Sequence, residues 1–442
     1  MPKKWWWVPL FFWLPVCALS APPNIVIFLL DDVSQSDVGA FGNVVVHTPN
    51  IDQLAKEGTR FDNAFLTTSS CSSSRASLLT GLYPTATGAP KLDDPLPAAV
   101  ISLPQLLHNA GYYTASVGKW HLGEPFKVHF DRVVEPREES GAADWLPELA
   151  RRPHNKPFFF WLASKDAHAP YEAWHAPLLH QNPQTVPLSK YDEDNAFVRS
   201  EMAGYYDEIA RADRNIGLVV EALRQEGVLD NTLLIVLSDN GAQFGGAKTT
   251  LYDEGIKTPL VMRLPAVIPA SIANQQLVSA VDLMPTVLAM AGLPAVPNTP
   301  GVSLLPTLQN PAVPVRNYIY AERNQHGHPL FARAIRTKNY LYKRNYFNQR
   351  LCDRYADAVW DTRLPRDREY EEFYNFLSDP QEQKNVRKAP RFQEQLSEAR
   401  SVMDGIMAKN IQHSPSLIFQ ACRPRPWSER INWPFPPLNG DE

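Results

Sequence analysis

The feature that most restricts the fold is a set of short apolar runs, each about one strand long and each giving way to polar or charged residues. They are Asn24–Leu30, Tyr112–Val117, Pro157–Ala163 and Thr232–Leu237, with Leu260–Arg263 as a fifth candidate. A strand that is apolar at consecutive positions has no face for water. It must be covered on both sides, which is the condition of a parallel sheet between helices. Amphipathic stretches lie between the runs. From Glu201 to Arg224, apolar residues recur at Met202, Tyr206, Ile209, Ile216, Val220 and Leu223, which predicts a helix with one stripe toward a core. Asp213 falls on that stripe and is expected to be a paired buried acid, not a catalytic one. Alternating strands and helices predict an α/β fold: a large mixed, mostly parallel sheet sandwiched by helices.

The pattern changes after about Val313. Over 330–345 apolar and charged positions alternate, as in Phe331, Arg333, Arg336, Tyr340 and Tyr342, which predicts antiparallel strands with one wet face. Phe373–Val386, with Asp379-Pro380 at its middle, reads as strand, turn and loop, and a helix follows from Pro390 to about Met407. The tail after Ser414 is rich in proline and tryptophan. A chain of 442 residues exceeds what one hydrophobic core comfortably serves. The expected organisation is a catalytic domain over 21–315 and a smaller C-terminal α+β subdomain, built on an antiparallel sheet, with the tail over 316–442.

Residues 1–20 read as a secretory leader. Lys3 and Lys4 precede an apolar run from Trp5 to Leu19, and small residues lead to a cleavage point before Ala21. The run is interrupted by Pro9 and Pro15 and is too short to span a bilayer, so no stable membrane span is expected and the mature chain is secreted or periplasmic. Val16 before Cys17 is a poor fit to a lipoprotein signal. Three cysteines remain beyond the leader, and the natural division bridges Cys352 to Cys422 and leaves Cys71 over. A net charge of −4 gives no reason to expect nucleic-acid binding, and an anionic substrate would need a local cationic pocket.

Open α/β sheets build their sites just past the carboxyl ends of their strands. Here the first run is followed by Asp31-Asp32 and the second by Lys119 and His121. The third leads to His168 and the fourth to Asp239-Asn240. Between the first two lies Cys71-Ser72-Ser73-Ser74-Arg75, opening a helix that Gly81 stops. Singly, each has an ordinary structural explanation: a capping aspartate, a packed histidine, a small buried thiol. Together they are hard to explain that way.

In this order Asp31-Asp32, Cys71-x-x-Ser74-Arg75, Gly118-Lys119-Trp120-His121-Leu122-Gly123, His168-x-Pro170, Ser238-Asp239-Asn240-Gly241 and Lys248 resemble the type I sulfatases of the alkaline phosphatase-like superfamily. The resemblance runs from Asn24 to about Pro259, with a weaker stretch at Phe373–Val386. It implies a metal set of Asp31, Asp32, Cys71, Asp239 and Asn240, and oxygen-rich donors of this kind suit a hard cation such as Ca2+ better than Zn2+. It implies that a maturation enzyme oxidises Cys71 to formylglycine, whose hydrated aldehyde attacks sulfur. Arg75, Lys119 and Lys248 would balance the sulfate oxygens, and His121 would take a proton so that sulfate can leave. His168 or Lys248 would protonate the departing atom. Lys257 competes with Lys248 for its place, but Lys248 has the family's spacing to Pro259. The family's proline two residues after the cysteine is Ser73 here, which bears on how efficiently Cys71 is converted.

Ser70–Leu82, Gly217–Gly241 and Thr249–Tyr252 look more similar to N-sulfoglucosamine sulfohydrolases than to arylsulfatases, which implies a sulfated amino sugar or glycosaminoglycan-type substrate. Loop residues Lys91, Asp93, Asp94, Glu322, Arg323, Asn324, His326 and His328 are candidate sugar contacts. Two other readings are open: a phosphatase or phosphonate monoester hydrolase of the same superfamily, or a non-catalytic binder of sulfated glycans if Cys71 stays unmodified. Against the first, the serine or threonine nucleophile and the histidine ligands of a second metal are not visible.

Overall fold

The computed structural model describes residues 21–171, 181–189, 191–326, 331–346 and 370–410. The leader, Cys352, Cys422, His328 and the proline-rich tail lie outside the described residues. Among the described residues, ten strands precede residue 280: β1 Asn24–Leu30, β2 Thr59–Phe61, β3 Ala64–Phe65, β4 Tyr113–Gly118, β5 Arg132–Val134, β6 Phe158–Ala163, β7 Thr232–Ser238, β8 Val261–Arg263, β9 Ile272–Asn274 and β10 Val278–Ser279. Eight of them form one sheet in the order β5-β4-β6-β1-β7-β8-β2-β9. At its centre β1 runs parallel to both β6 and β7.

Both faces of that centre are dry. Ile25, Ile27 and Leu29 pack with Leu78 and Leu79 of the Cys71–Thr80 helix on one side. Val26, Phe28 and Leu30 pack with Ile209, Ile216 and Val219 of the long Ala196–Gln225 helix on the other. Alternate side chains of a strand point to opposite faces, so an unbroken apolar run becomes two cores. The long helix begins five residues before the predicted one. Asn195 caps it by accepting from the Val198 N–H, and the added turn carries an exposed Phe197 and no apolar stripe. Asp213 is buried and paired as expected: it accepts from the N–H groups of Asn50 (3.1 Å) and Ile51 (2.8 Å) and from the Asn50 amide (2.7 Å).

The fifth run is a strand, but β8 lies antiparallel to β7. Between them the chain carries only the four-residue helix Asp253–Ile256. It leaves β7 at its carboxyl end and re-enters the sheet from that same end, which fixes the direction.

The remaining strands, β11 Ile319–Arg323, β12 Ala332–Arg336, β13 Tyr340–Asn345 and β14 Glu371–Asn375, pair antiparallel in that order. The expected wet face is absent. One face is covered by Leu396, Ala399 and Met403 of the Gln393–Asn410 helix, and the other packs on Phe65, Leu251 and Ile256 of the main body. Arg333, Arg336 and Lys343 are buried instead, paired with Glu322 (3.4 Å), Asp253 (2.8 Å) and Glu372 (3.0 Å). Alternation of charged and apolar residues reports solvent only where nothing packs on the charged side.

Candidate active site

Neighbouring strands deliver the acids. Asp31 and Asp32 directly follow β1, and Asp239 and Asn240 directly follow β7, all four fully buried. Because β1 and β7 are paired, the two ends are stitched together: the Asp239 N–H donates to the Leu30 carbonyl (3.1 Å) and the Asp32 N–H to Asp239 Oδ1 (3.3 Å). Asp32 sits at φ 61°, a left-handed turn that swings the chain away from the sheet. Cys71 is the first residue of its helix, with Sγ 3.8 Å from one oxygen each of Asp31 and Asp32. One ligand atom from each of Asp31, Asp32, Cys71 and Asp239 lies within 4.8 Å of the others.

Carboxylates this deep repel unless cations stand beside them. Arg75, one turn along the same helix, grips Asp239 through Nε and Nη2 at 2.8 Å each and donates Nη1 to the Lys119 carbonyl (2.9 Å). Lys119 pairs with Asp31, and Lys248 with Asp32 at 2.6 Å. Gly118, at φ 104°, makes the Lys119 turn possible, since a Cβ there would lie 1.9 Å from the Ala163 carbonyl. Burial pushes the Asp31 carboxyl up, but Lys119 and Arg75 outweigh it and hold it below its ordinary value. Burial presses the two lysines toward neutrality, and their aspartate partners hold both above the ordinary lysine range. Burial raises the Cys71 thiol far above its usual value against the pull of Lys248 and Lys119, so unmodified Cys71 is a thiol, not a thiolate.

The donor set fits a hard cation. Three carboxylates, Asp31, Asp32 and Asp239, gather around Cys71. The Asn240 amide joins them through Nδ2, which donates to Asp32 Oδ1 (2.5 Å), while its Oδ1 is buried with no hydrogen-bond partner. Two histidines border it. His168, on the loop after β6, has Nε2 3.9 Å from Asp32. His121 follows Lys119, and its Nε2 meets Asp93 Oδ1 at 2.6 Å. Burial and Lys119 hold His121 below the ordinary histidine value, so it is neutral near pH 7.

The candidate sugar contacts divide. The Lys91–Asp94 loop lies against the first turn of the Cys71 helix, where Ser72 and Ser73 hydrogen-bond it. His326 reaches the site from the far end of β11, with Nδ1 3.0 Å from Ser70 Oγ; burial, then Lys248 and Arg323, push it down to about 3. Three residues are engaged in hydrogen bonds within the fold. Glu322 has no exposed surface, and its carboxylate accepts from the Thr85 N–H, the Thr85 hydroxyl (3.1 Å) and the Tyr320 hydroxyl (3.0 Å). Asn324 accepts from Arg333 (2.9 Å) and donates to the Pro90 carbonyl (3.3 Å). Asp94 closes its own loop by accepting from the Lys91 N–H (2.9 Å). Glu322, Asn324 and Arg323 are buried. Ser70 and Ser72 went unnoticed in the sequence. Their signal was the hydroxyl-rich run on both sides of Cys71.

A buried cysteine at a helix start, ringed by acids and cations at the carboxyl end of a mixed sheet, defines a hydrolase of the alkaline phosphatase-like fold. Solved structures agree on that fold. One described as a complex with its substrate D-glucosamine-2-N,6-O-disulfate superposes with a TM-score of 0.73 at 22% identity, covering 89% of this chain and 99% of the other. The phosphonate monoester hydrolase of Agrobacterium radiobacter superposes at 0.71 and 19% identity, over 88% of this chain and 96% of that one. The sulfatase family model matches residues 23–135 and 134–293, and the chain belongs to that family. It is a hydrolase of sulfuric esters or sulfamates. The model of the N-sulphoglucosamine sulphohydrolase C-terminal region matches residues 246–362. Among curated relatives, an ulvan-active sulfatase of Formosa agariphila is 31% identical over 85% of this chain and 78% of its own length. Human N-sulphoglucosamine sulphohydrolase is 30% identical over 70% of each.

Proposed function

We propose that this protein removes sulfate from a sulfated carbohydrate, as an O-sulfate ester or the N-sulfate of an amino sugar, with Cys71 converted to formylglycine and one Ca2+ held by Asp31, Asp32, Asp239 and Asn240. The observation that carries it is Cys71 itself, buried at a helix start among three carboxylates and the cations Arg75, Lys119 and Lys248. The carbohydrate reading is supported by the human sulphohydrolase and by the match to its C-terminal region.

A hard cation here supplies positive charge to the sulfate oxygens, and formylglycine supplies a hydrated aldehyde as nucleophile. The chain's own residues do the rest. Lys119 and Lys248 face the charge that moves onto the sulfate oxygens, and Arg75 fixes the acids in place. His121 offers a ring nitrogen without a partner, Nδ1, as proton acceptor. His168 or Lys248 protonates the departing oxygen or nitrogen. In this reading the leader exports the chain to a secreted or periplasmic compartment, a formylglycine-generating enzyme is its maturation partner, and the catalytic domain ends near residue 315.

Trypsin releases Phe61–Arg75 as a peptide whose one cysteine is Cys71. In active protein from a host with a maturation system, part of this peptide should carry an aldehyde, and Cys71→Ala should be inert. Turnover compared across N-, 2-O-, 6-O- and aryl sulfates and a phosphate ester identifies the substrate. Active protein with only unmodified Cys71 refutes the nucleophile, and turnover of the phosphate ester alone refutes desulfation.

A further inference from the structure

The contact between His121 and Asp93 is unusual in its setting. His121 is mostly enclosed, whereas the Asp93 side chain is 73% exposed. A carboxylate in water holds a partner weakly, because solvent screens the pair and both side chains lose freedom in forming it. Such a contact is worth something only if the carboxylate is fixed before the partner arrives, and the loop that carries it is fixed. Asp93 stands at φ 65°, and its N–H donates to Ser72 Oγ at 3.0 Å. The Ser73 hydroxyl donates to the Lys91 carbonyl at 3.1 Å. From the other side the Leu92 N–H donates to the Gln325 carbonyl at 2.9 Å. Ser72 and Ser73 directly follow Cys71, so the helix start that places Cys71 also places the aspartate.

The ring nitrogens make the consequence specific. With Nε2 on Asp93 at 2.6 Å, the neutral ring carries its proton there and leaves Nδ1 bare. Nδ1 is buried and has no partner. The charged and titratable groups around the ring are Asp93 on this loop, Lys119 on the β4 turn, Arg75 on the helix and His326 beyond β11.

We infer that Asp93 is a positioning residue for His121, selecting the tautomer whose Nδ1 accepts the proton, and that the Ser72 and Ser73 hydroxyls hold Asp93 in place. Ser73 then has a task of its own at the position where the sulfatase pattern it resembles has proline. It stands in the first helical turn, where the N–H has no intrahelical acceptor, so proline fits the backbone but removes the bond to Lys91. This inference rests on the proposed proton transfer at His121, and one of its tests is independent of turnover.

In the full chain, ring-nitrogen NMR shifts should show His121 protonated at Nε2, and Asp93→Ala should give a mixture of tautomers. A wild-type ring protonated at Nδ1 overturns the assignment, whether or not the protein desulfates anything. Kinetics, normalised to the aldehyde fraction, form the second arm. Asp93→Ala should lower kcat about tenfold with KM within about twofold. The low-pH limb of kcat/KM should move to lower pH, since a base deprived of its carboxylate loses its proton more readily. Ser72→Ala should do the same to a smaller extent, and Ser73→Pro should raise the aldehyde fraction yet lower turnover per aldehyde. A rise in KM with an unmoved limb would place Asp93 on the substrate instead and overturn the inference.

Discussion

Asp239 meets Arg75 through two nitrogens in a buried place, so in the proposed site the side chain has two duties, as cation ligand and as counter-charge. The substitution that separates them is Asp239→Asn, which keeps the shape and an acceptor for Arg75. It should abolish turnover and erase the rise in thermal midpoint that added Ca2+ gives the wild type, while the metal-free midpoint changes little. A Ca2+-dependent rise that survives would remove Asp239 from the metal set. Asp239→Ala is a poorer probe, since it leaves Arg75 buried without its partner at a cost of about 3–5 kcal/mol. The two lysines of the segment are also separable. Lys248 reaches Asp32, whereas the Lys257 ammonium lies 6.0 Å from the Phe65 ring centroid. Lys248→Ala should cost roughly 100-fold in kcat and Lys257→Ala less than about threefold. Equal losses would mean that the site reaches further than Asp32. At this scale the sequence was informative where a residue follows a strand, because the strand fixes its address. Glu322 shows the limit: it belongs to a strand, and only packing reveals that its carboxylate faces Thr85 and Tyr320.

Among elements, long apolar runs were legible and short strands were not. β1, β4, β6 and β7 each end within one residue of their predicted limits, since nothing but a two-sided core accommodates so many consecutive apolar residues. β2, β3, β9 and β10 have two or three residues each, too few to show any period. The direction of β8 depends on where the chain comes from, which its own residues do not record. Helix packing offers a sharper test. Gly217 of the long helix faces Asn50, and a Cβ there would sit 2.3 Å from the Asn50 side-chain oxygen. Asn50 in turn holds Asp213. On propensity alone Gly217→Ala should stabilise by up to about 1 kcal/mol. The contact predicts the opposite, a loss of about 1–3 kcal/mol and a lower denaturation midpoint. A stabilised variant would show that the long helix and the Pro49–Glu57 helix, which carries Asn50, are not in contact here.

Across the whole molecule, the two sheets are joined by polar contacts that are mostly buried. Arg336 of β12 grips Asp253 of the short helix before β8, and the Tyr252 hydroxyl donates to Glu372 of β14 (2.7 Å). Stability as a function of pH belongs to this scale as well. Tyr205 and Tyr206 of the long helix donate to Asp37 at 2.9 and 3.0 Å, tying that helix to the loop after β1. Loss of water, and then the neighbouring Glu254, push the Asp37 carboxyl up to about 7. The folded protein therefore binds this proton more tightly than the unfolded chain. The contribution is complete below the unfolded value of 3.8 and is lost as pH rises through about 7. Asp37→Asn locks in the uncharged form, so its thermal midpoint should fall less than the wild type's between about pH 5 and about pH 8. Parallel curves would show an ordinary carboxyl.

Cys71 and Ser73 have essentially no surface in the finished protein. The wall around Cys71 includes Asp239 and Lys248, and these arrive with β7 and the loop that follows, more than 150 residues later in the chain. Any enzyme that modifies Cys71 must therefore reach it before β7 docks beside β1. The yield of modified protein is then set by a race between two rates, modification against closure of the central sheet. Chain order gives the modifying enzyme a head start of the time needed to make or export that intervening length. Slowing translation or folding should lengthen the head start, and a variant that folds faster should emerge with more of its cysteine untouched.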